Sequence, residues 1–115
     1  MNIQTFTFNP FQENTYVLYD NTKECIIIDP GCYNREEEAL LANFINKNQL
    51  TPVKLINTHC HIDHIMGNKF VCKKWNINLF THKEELHLLE ASEAISKMYG
   101  FEDYNLSPMP KEYLN

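Results

Sequence analysis

Between His59 and His64 the chain places three of its five histidines and one aspartate within six consecutive positions, in the order His59-Cys60-His61-Ile62-Asp63-His64. Imidazole nitrogens and carboxylate oxygens are the ligands a borderline divalent ion such as zinc accepts, and a packed domain has little structural reason to concentrate four of them. The run Val53-Lys54-Leu55-Ile56-Asn57 just before the cluster reads as a short buried strand. The candidate ligands therefore lie just beyond a strand's carboxyl end.

Two apart on extended chain, His59 and His61 can share one ion, while Asp63 and His64 lie where the backbone turns and can be directed to a neighbouring point. Four ligands in two pairs suit two adjacent metals. Such a pair can bridge a hydroxide, lower the pKa of its parent water and polarise a carbonyl or phosphoryl oxygen, which is hydrolysis without a covalent nucleophile. Asp63 is the candidate catalytic residue, serving both as an oxygen ligand and as the acceptor that orients the hydroxide. The competing reading is a structural zinc site using Cys60 or Cys72 with His61 and His64. Against it, thiolate-rich closed sites usually present cysteines in close pairs, and alternation on an extended chain turns Cys60 away from its neighbours.

Bulk properties narrow the classes further. The 115 residues and 43% hydrophobic content suit one compact domain or part of a larger one. Ten basic against 15 acidic side chains give a formal charge of −5, which makes nucleic acid a poor partner. The start Met1-Asn2-Ile3-Gln4 has no signal-peptide pattern and no apolar run long enough to span a membrane occurs, so a soluble, cytoplasmic protein is expected. The four cysteines, Cys25, Cys32, Cys60 and Cys72, form no Cys-x-x-Cys pair and read as reduced thiols.

Residues 3–8, 15–19 and 24–29 read as three strands of an antiparallel meander, separated by Asn9-Pro10 and Asp20-Asn21 and stopped by Asp29-Pro30-Gly31. Residues 35–47 repeat apolar side chains at helical spacing behind the acidic first turn Glu36-Glu37-Glu38, which reads as a solvated, dipole-matched start. Thr51-Pro52 ends that helical region. Beyond the cluster, residues 65–75 have helical character interrupted by Gly67, 77–80 form a brief strand, 83–99 a second helix stopped by Gly100, and 101–115 an irregular tail. The order suggests an α/β layered domain with its site at loop ends. It also lacks a closing element to protect the sheet edge.

The remaining histidines, His82 and His87, imitate a helical His-Glu-x-x-His site, but five positions leave them about 140° apart. Both are expected on the surface or partly buried. Asp29, at the end of its strand, could hydrogen-bond a ligand imidazole or serve only the turn.

His59, His61, Asp63 and His64, preceded by the apolar strand and Asn57-Thr58 and followed by Gly67-Asn68, resemble the His-x-His-x-Asp-His signature of the metallo-β-lactamase superfamily, and within it the glyoxalase II-like hydrolases. Asp29-Pro30-Gly31 after an Ile-rich strand, with Asn14-Thr15-Tyr16 before it, is similar to the opening of the same family. The resemblance implies the N-terminal half of an αββα sandwich, with a mixed, largely antiparallel sheet and helices on one face. It also implies a site for two divalent ions, zinc first and iron or manganese as alternatives. His59 and His61 would hold one ion, and Asp63 and His64 the other.

The family's later Gly-His, Gly-Asp and final histidine have no counterpart, since no histidine follows His87 and Glu102-Asp103 lacks the Gly-Asp context. The expectation is the N-terminal part of a single truncated domain with no second domain. Its parent would hydrolyse a thioester or related ester of a small-molecule substrate. The fragment alone would be weakly active or inactive, with partial or no metal occupancy, and would form a homodimer or other association through its bare sheet face. A structural zinc or non-catalytic interaction module, and a di-iron redox member of the superfamily, are the alternatives.

Overall fold

A computed structural model describes residues 1–114. Strands β1 (Asn2–Phe8), β2 (Glu13–Tyr19) and β3 (Glu24–Ile28) form the expected antiparallel meander. Strands β4 (Thr51–Asn57), β5 (Leu79–His82) and β6 (Glu112–Leu114) then add in sequence order, each parallel to its predecessor. The sheet is mixed, but its three parallel pairings outnumber the two antiparallel ones, which corrects the expectation of a largely antiparallel sheet. The cause lies in the connections. A parallel neighbour requires a long crossover, and α1 (Arg35–Lys47) and α3 (Asn68–Trp75) supply the first two.

Alternation decides which face is covered. Val17, Ile27, Leu55 and Leu79 point to one side and are fully buried with Leu41 and Ile45 of α1 and Val71 of α3. The alternate residues Leu18, Ile26, Ile56 and Phe80 are only partly buried, and Ile3 is 62% exposed. Helices therefore cover one face and leave the other uncovered.

Three local readings change. Thr51 and Pro52 belong to β4, where a register shift between Cys25 and Ile26 accommodates a residue with no N–H to donate. The helical stretch begins at Ile62 rather than 65 and, interrupted at Gly67 as expected, divides into α2 (Ile62–Ile65) and α3, with Gly67 N–H donating to Pro30 O at 2.7 Å at the junction. The tail is not wholly irregular, since β6 pairs with β5 through hydrogen bonds that sequence periodicity in three residues cannot announce. That strand covers the β5 edge expected to stay open. Position 115 lies outside the described residues.

The start of α1 also differs in function. Asn34 caps it, accepting from Glu37 N at 2.9 Å. Glu37 is not a solvated charge, because its carboxylate turns back to accept from Tyr33 N at 2.9 Å and from Asn9 N at 2.8 Å. It ties the helix to the β1–β2 loop, which in turn reaches the cluster. The remaining helix, α4 (Leu86–Met98), begins one turn later than expected, after a 3-10 turn over Lys83–Glu85. Among the described residues no helix is long and apolar enough to cross a membrane.

Candidate metal centre

The strand β4 stops at Asn57, and Thr58 to His61 run as a loop into α2. The rings of His59 and His61 stack 5.8 Å apart at an interplanar angle of 12°, and His64 approaches them at 5.5 Å and 6.5 Å. Three imidazoles thus face one space. Asp63, on the same short helix as His64, places Oδ2 3.5 Å from His64 Nε2. Cys60, lying between the two loop histidines, points the other way into the core, where Sγ sits 3.6 Å from Thr81 Oγ1. Burial pushes its thiol up to about 11, so it stays protonated at neutral pH. Among the described residues, the set of three ligand-type side chains whose donor atoms all lie within 4.8 Å of one another is Asp29, His59 and His64, with no cysteine.

Behind His64 stand two buried carboxylates. Asp29, at a positive φ of 51° that aspartate tolerates, accepts from Thr58 N at 2.8 Å and from Thr58 Oγ1. Its Oδ2 lies 3.1 Å from His64 Nδ1, off the line of a good hydrogen bond, and Glu13 Oε1 lies 3.6 Å from the same nitrogen. The Asp29 carboxylate holds His64 above the ordinary histidine range, against the opposing effect of burial. With Nδ1 turned inward, Nε2 is the nitrogen that looks toward Asp63.

Glu13 is the residue that sequence reasoning missed. It lies 4% exposed beneath the cluster, and desolvation raises its pKa to about 8. The hydrogen bonding agrees. Thr15 Oγ1 has one proton to give yet lies 2.8 Å from Asp29 O and 3.0 Å from Glu13 Oε2, while Gly31 N donates to it at 2.9 Å. A protonated Glu13 resolves this, donating to Thr15, which then donates to Asp29 O.

The sign of the resulting pH dependence follows. Glu13 binds its proton more tightly in the folded chain than in the unfolded one, so its contribution is fully present below about pH 4.5 and declines as pH rises toward 8. His64, also raised, stabilises below its unfolded value of 6.5 and loses that contribution at higher pH. Both slopes have the same sign. Urea midpoints of the metal-free chain should fall between pH 5 and pH 8, and Glu13→Gln should flatten that fall. A midpoint rising with pH would contradict the account.

Other polar side chains brace the loops. Asn9 Nδ2 donates to Gly31 O and to Asp63 O, both at 2.9 Å, joining the β1–β2 loop, the Asp-Pro-Gly turn and α2. Asn57 and Asn68 pair side chain to side chain at 2.7 Å and 3.2 Å, and Asn68 Nδ2 donates to Ser107 Oγ at 2.9 Å. From the 3-10 turn, Glu85 Oε1 accepts from Cys60 N at 2.9 Å and so fixes the loop between the two stacked histidines. Glu85→Ala should loosen that loop and weaken zinc affinity about tenfold, the usual scale for groups that orient ligands. A zinc titration against a competing chelator measures it, and unchanged affinity would show that the loop holds its shape without Glu85.

His82 and His87 are exposed and outside this cluster, as expected. His82 caps the 3-10 turn, its Nδ1 accepting from Glu84 N at 3.1 Å. Glu13, Asn9 and Glu85 carry no sequence signal of a site role, since each is a common polar residue in a loop, a strand start or a charged run.

This combination defines a class: a layered α/β chain with a histidine and carboxylate cluster at the carboxyl end of a central parallel strand. The chain belongs to the metallo-beta-lactamase superfamily, whose family pattern it matches over residues 8–111. It is 35% identical over 80 residues to the probable metallo-hydrolase YqgX of Bacillus subtilis (strain 168), an alignment covering 70% of this chain and 36% of YqgX. With the hydroxyacylglutathione hydrolase of Wigglesworthia glossinidia brevipalpis it shares 35% identity over 88 residues, covering 75% of this chain and 32% of that enzyme. The crystal structure of BLEG-1 B3 metallo-beta-lactamase superposes with a TM-score of 0.84 at 29% identity, covering 99% of this chain and 53% of that one. TTHA1623 in a di-iron-bound form superposes with a TM-score of 0.82 at 27% identity, covering 97% and 54%. The chain thus spans about a third of these two sequence relatives and about half of these two structures.

Proposed function

We propose that this chain supplies the first half of the metal-binding machinery of a hydrolase that cleaves a thioester or related ester, with His59 and His61 assigned to one divalent ion and Asp63 and His64 to a second. The observation that carries the reading is the convergence of three imidazoles and Asp63 just beyond β4, with His64 Nδ1 turned toward Asp29. The donor set fits a divalent ion, because the imidazoles of His59 and His64 converge with a carboxylate and no cysteine is in that group. The hydroxyacylglutathione hydrolase among its relatives favours a thioester.

A bound divalent ion supplies Lewis acidity and makes a water more acidic. The chain does the rest. Asp29, braced by Thr58, places its negative charge 3.1 Å from His64 Nδ1, which favours the proton on that nitrogen and leaves Nε2 to face the ion. Asp63 orients the attacking water through its carboxylate and takes its proton. The water oxygen joins the acyl carbon, the carbon–sulfur bond breaks, and the thiol leaves with a proton, giving a carboxylic acid. In this reading the 115 residues are part of a single larger domain, and the isolated chain is weakly active or inactive with incomplete metal occupancy.

Zinc stoichiometry and thioesterase rate, measured on the chain and on a longer form, test the assignment. Cobalt substitution distinguishes the structural-zinc alternative, since intense thiolate charge-transfer absorption would overturn the hydrolase reading. The di-iron-bound TTHA1623 motivates iron analysis of the same samples. On the uncovered sheet face Ile3, Leu18 and Ile26 run in register, as do Tyr16, Ile28, Ile56 and Phe80, which supports association of two copies there. Light scattering should report about twice 13.6 kDa, and a monomer would count against it.

A further inference from the structure

One cavity touches the candidate metal centre from outside the ligand set. It has a volume of about 440 Å³, and its polar side is formed by His61 and Asp63. Its other walls are Phe11 from the β1–β2 loop, Ile62 of α2, and Leu88, Ile95, Met98 and Tyr99 along α4 and its end. The size lies within the ordinary range for small-molecule sites, and an apolar lining with a few convergent polar groups is their usual make-up. Two elements far apart in sequence build the apolar part, and Phe11 closes edge-on against Tyr99 at 5.3 Å.

The charge pattern selects the occupant. No lysine or arginine lines the cavity, and the carboxylate in its wall is that of Asp63. An anionic peptide-like thiol carrier finds no cation there to pair with. A hydrocarbon group does find a wall of aromatic and aliphatic side chains that ends at two candidate metal ligands. Resting on the thioester or ester hydrolase reading above, we propose that this cavity holds the acyl portion of the substrate, and that the acyl group is an extended hydrocarbon rather than a small hydroxyacyl. The thiol or alcohol portion then leaves on the side away from α4.

The test separates the cavity from the chemistry. The metal-free 115-residue chain is titrated with 1-butanol, 1-hexanol and 1-octanol, reading amide shifts of Ile62, Leu88, Ile95 and Tyr99. Affinity should tighten about fourfold per added methylene. Met98→Glu, at a side chain 84% exposed and so safe for folding, and Leu88→Asn should each weaken octanol binding at least about fivefold. Affinity independent of chain length, or length dependence unaltered in both variants, would overturn the proposal. In parallel, a zinc-loaded longer form of the protein is assayed on 4-nitrophenyl acetate and hexanoate. Zinc-dependent hydrolysis that favours hexanoate in the wild type, and loses the preference in Met98→Glu, is the expected result. Hydrolysis with no chain-length preference overturns the acyl cavity alone, whereas graded alkanol binding by the chain with no zinc-dependent hydrolysis by the longer form overturns the hydrolase reading on which the substrate role rests.

Discussion

Gly31→Ala should destabilise the chain by about 3 kcal/mol or more, near the upper end for overpacking a closed site. A Cβ at this position would overlap Glu13 Oε2 and stand 2.6 Å from Asp63 O and 2.7 Å from Asn9 Nδ2. None of these neighbours can yield cheaply. Glu13 is buried and engaged with Thr15, Asp63 O belongs to the backbone of α2, and the Asn9 amide already bonds both that oxygen and Gly31 O. The effect comes from space rather than from backbone angle. Gly100 provides the contrast, since a Cβ there meets nothing within 4 Å and Gly100→Ala bears only the strain of its φ of 78°, about 1 kcal/mol. Urea denaturation of the two variants should therefore differ by roughly 2 kcal/mol or more, following these two magnitudes. Equal losses would mean that the Asp-Pro-Gly turn is not packed against the cluster as described.

Asp63→Asn should separate stability from function. The amide has the size of the carboxylate, and the side chain is partly exposed on α2, so the fold should survive. Under the proposed chemistry it removes an anionic ligand and the acceptor for the attacking water's proton, and hydrolysis by the complete enzyme should fall about 10²-fold to 10⁴-fold. Bound zinc should drop by one equivalent. The metal-free chain should meanwhile change little in stability, because the Asp63 charge opposes a charged Glu13 but favours a charged His64, and the two effects offset. Pairing steady-state rates and metal analysis with urea midpoints checks all three. A variant that loses rate and stability together would point to a structural role.

Much of the scaffold was legible because its periodicities are strong. The meander of β1 to β3, the bounds of α1 and the position of β4 ahead of the cluster all follow from apolar alternation or helical spacing with turn residues between. The inward turn of Cys60 follows from the same alternation. The failures are those of short or long-range features. Nothing in Glu112-Tyr113-Leu114 marks it as a strand, since three exposed residues pair only because β5 offers an edge. Glu37 reads as one of three helix-start acids until the β1–β2 loop comes within reach of its carboxylate.

The metal centre divides along the same line. Spacing alone specifies that His59, His61, Asp63 and His64 emerge together at a strand end, because neighbours in sequence cannot be far apart in space. It also carries the family signature. What stands behind those side chains is decided by contacts across 16 to 51 positions: Asp29 and Glu13 against His64 Nδ1, and Gly31 against Thr15. Such partners are ordinary carboxylates and hydroxyls whose role exists only when distant strands meet. Burial then changes their chemistry, raising Glu13 to about 8 and making a surface-type residue a neutral hydrogen-bond donor in the core.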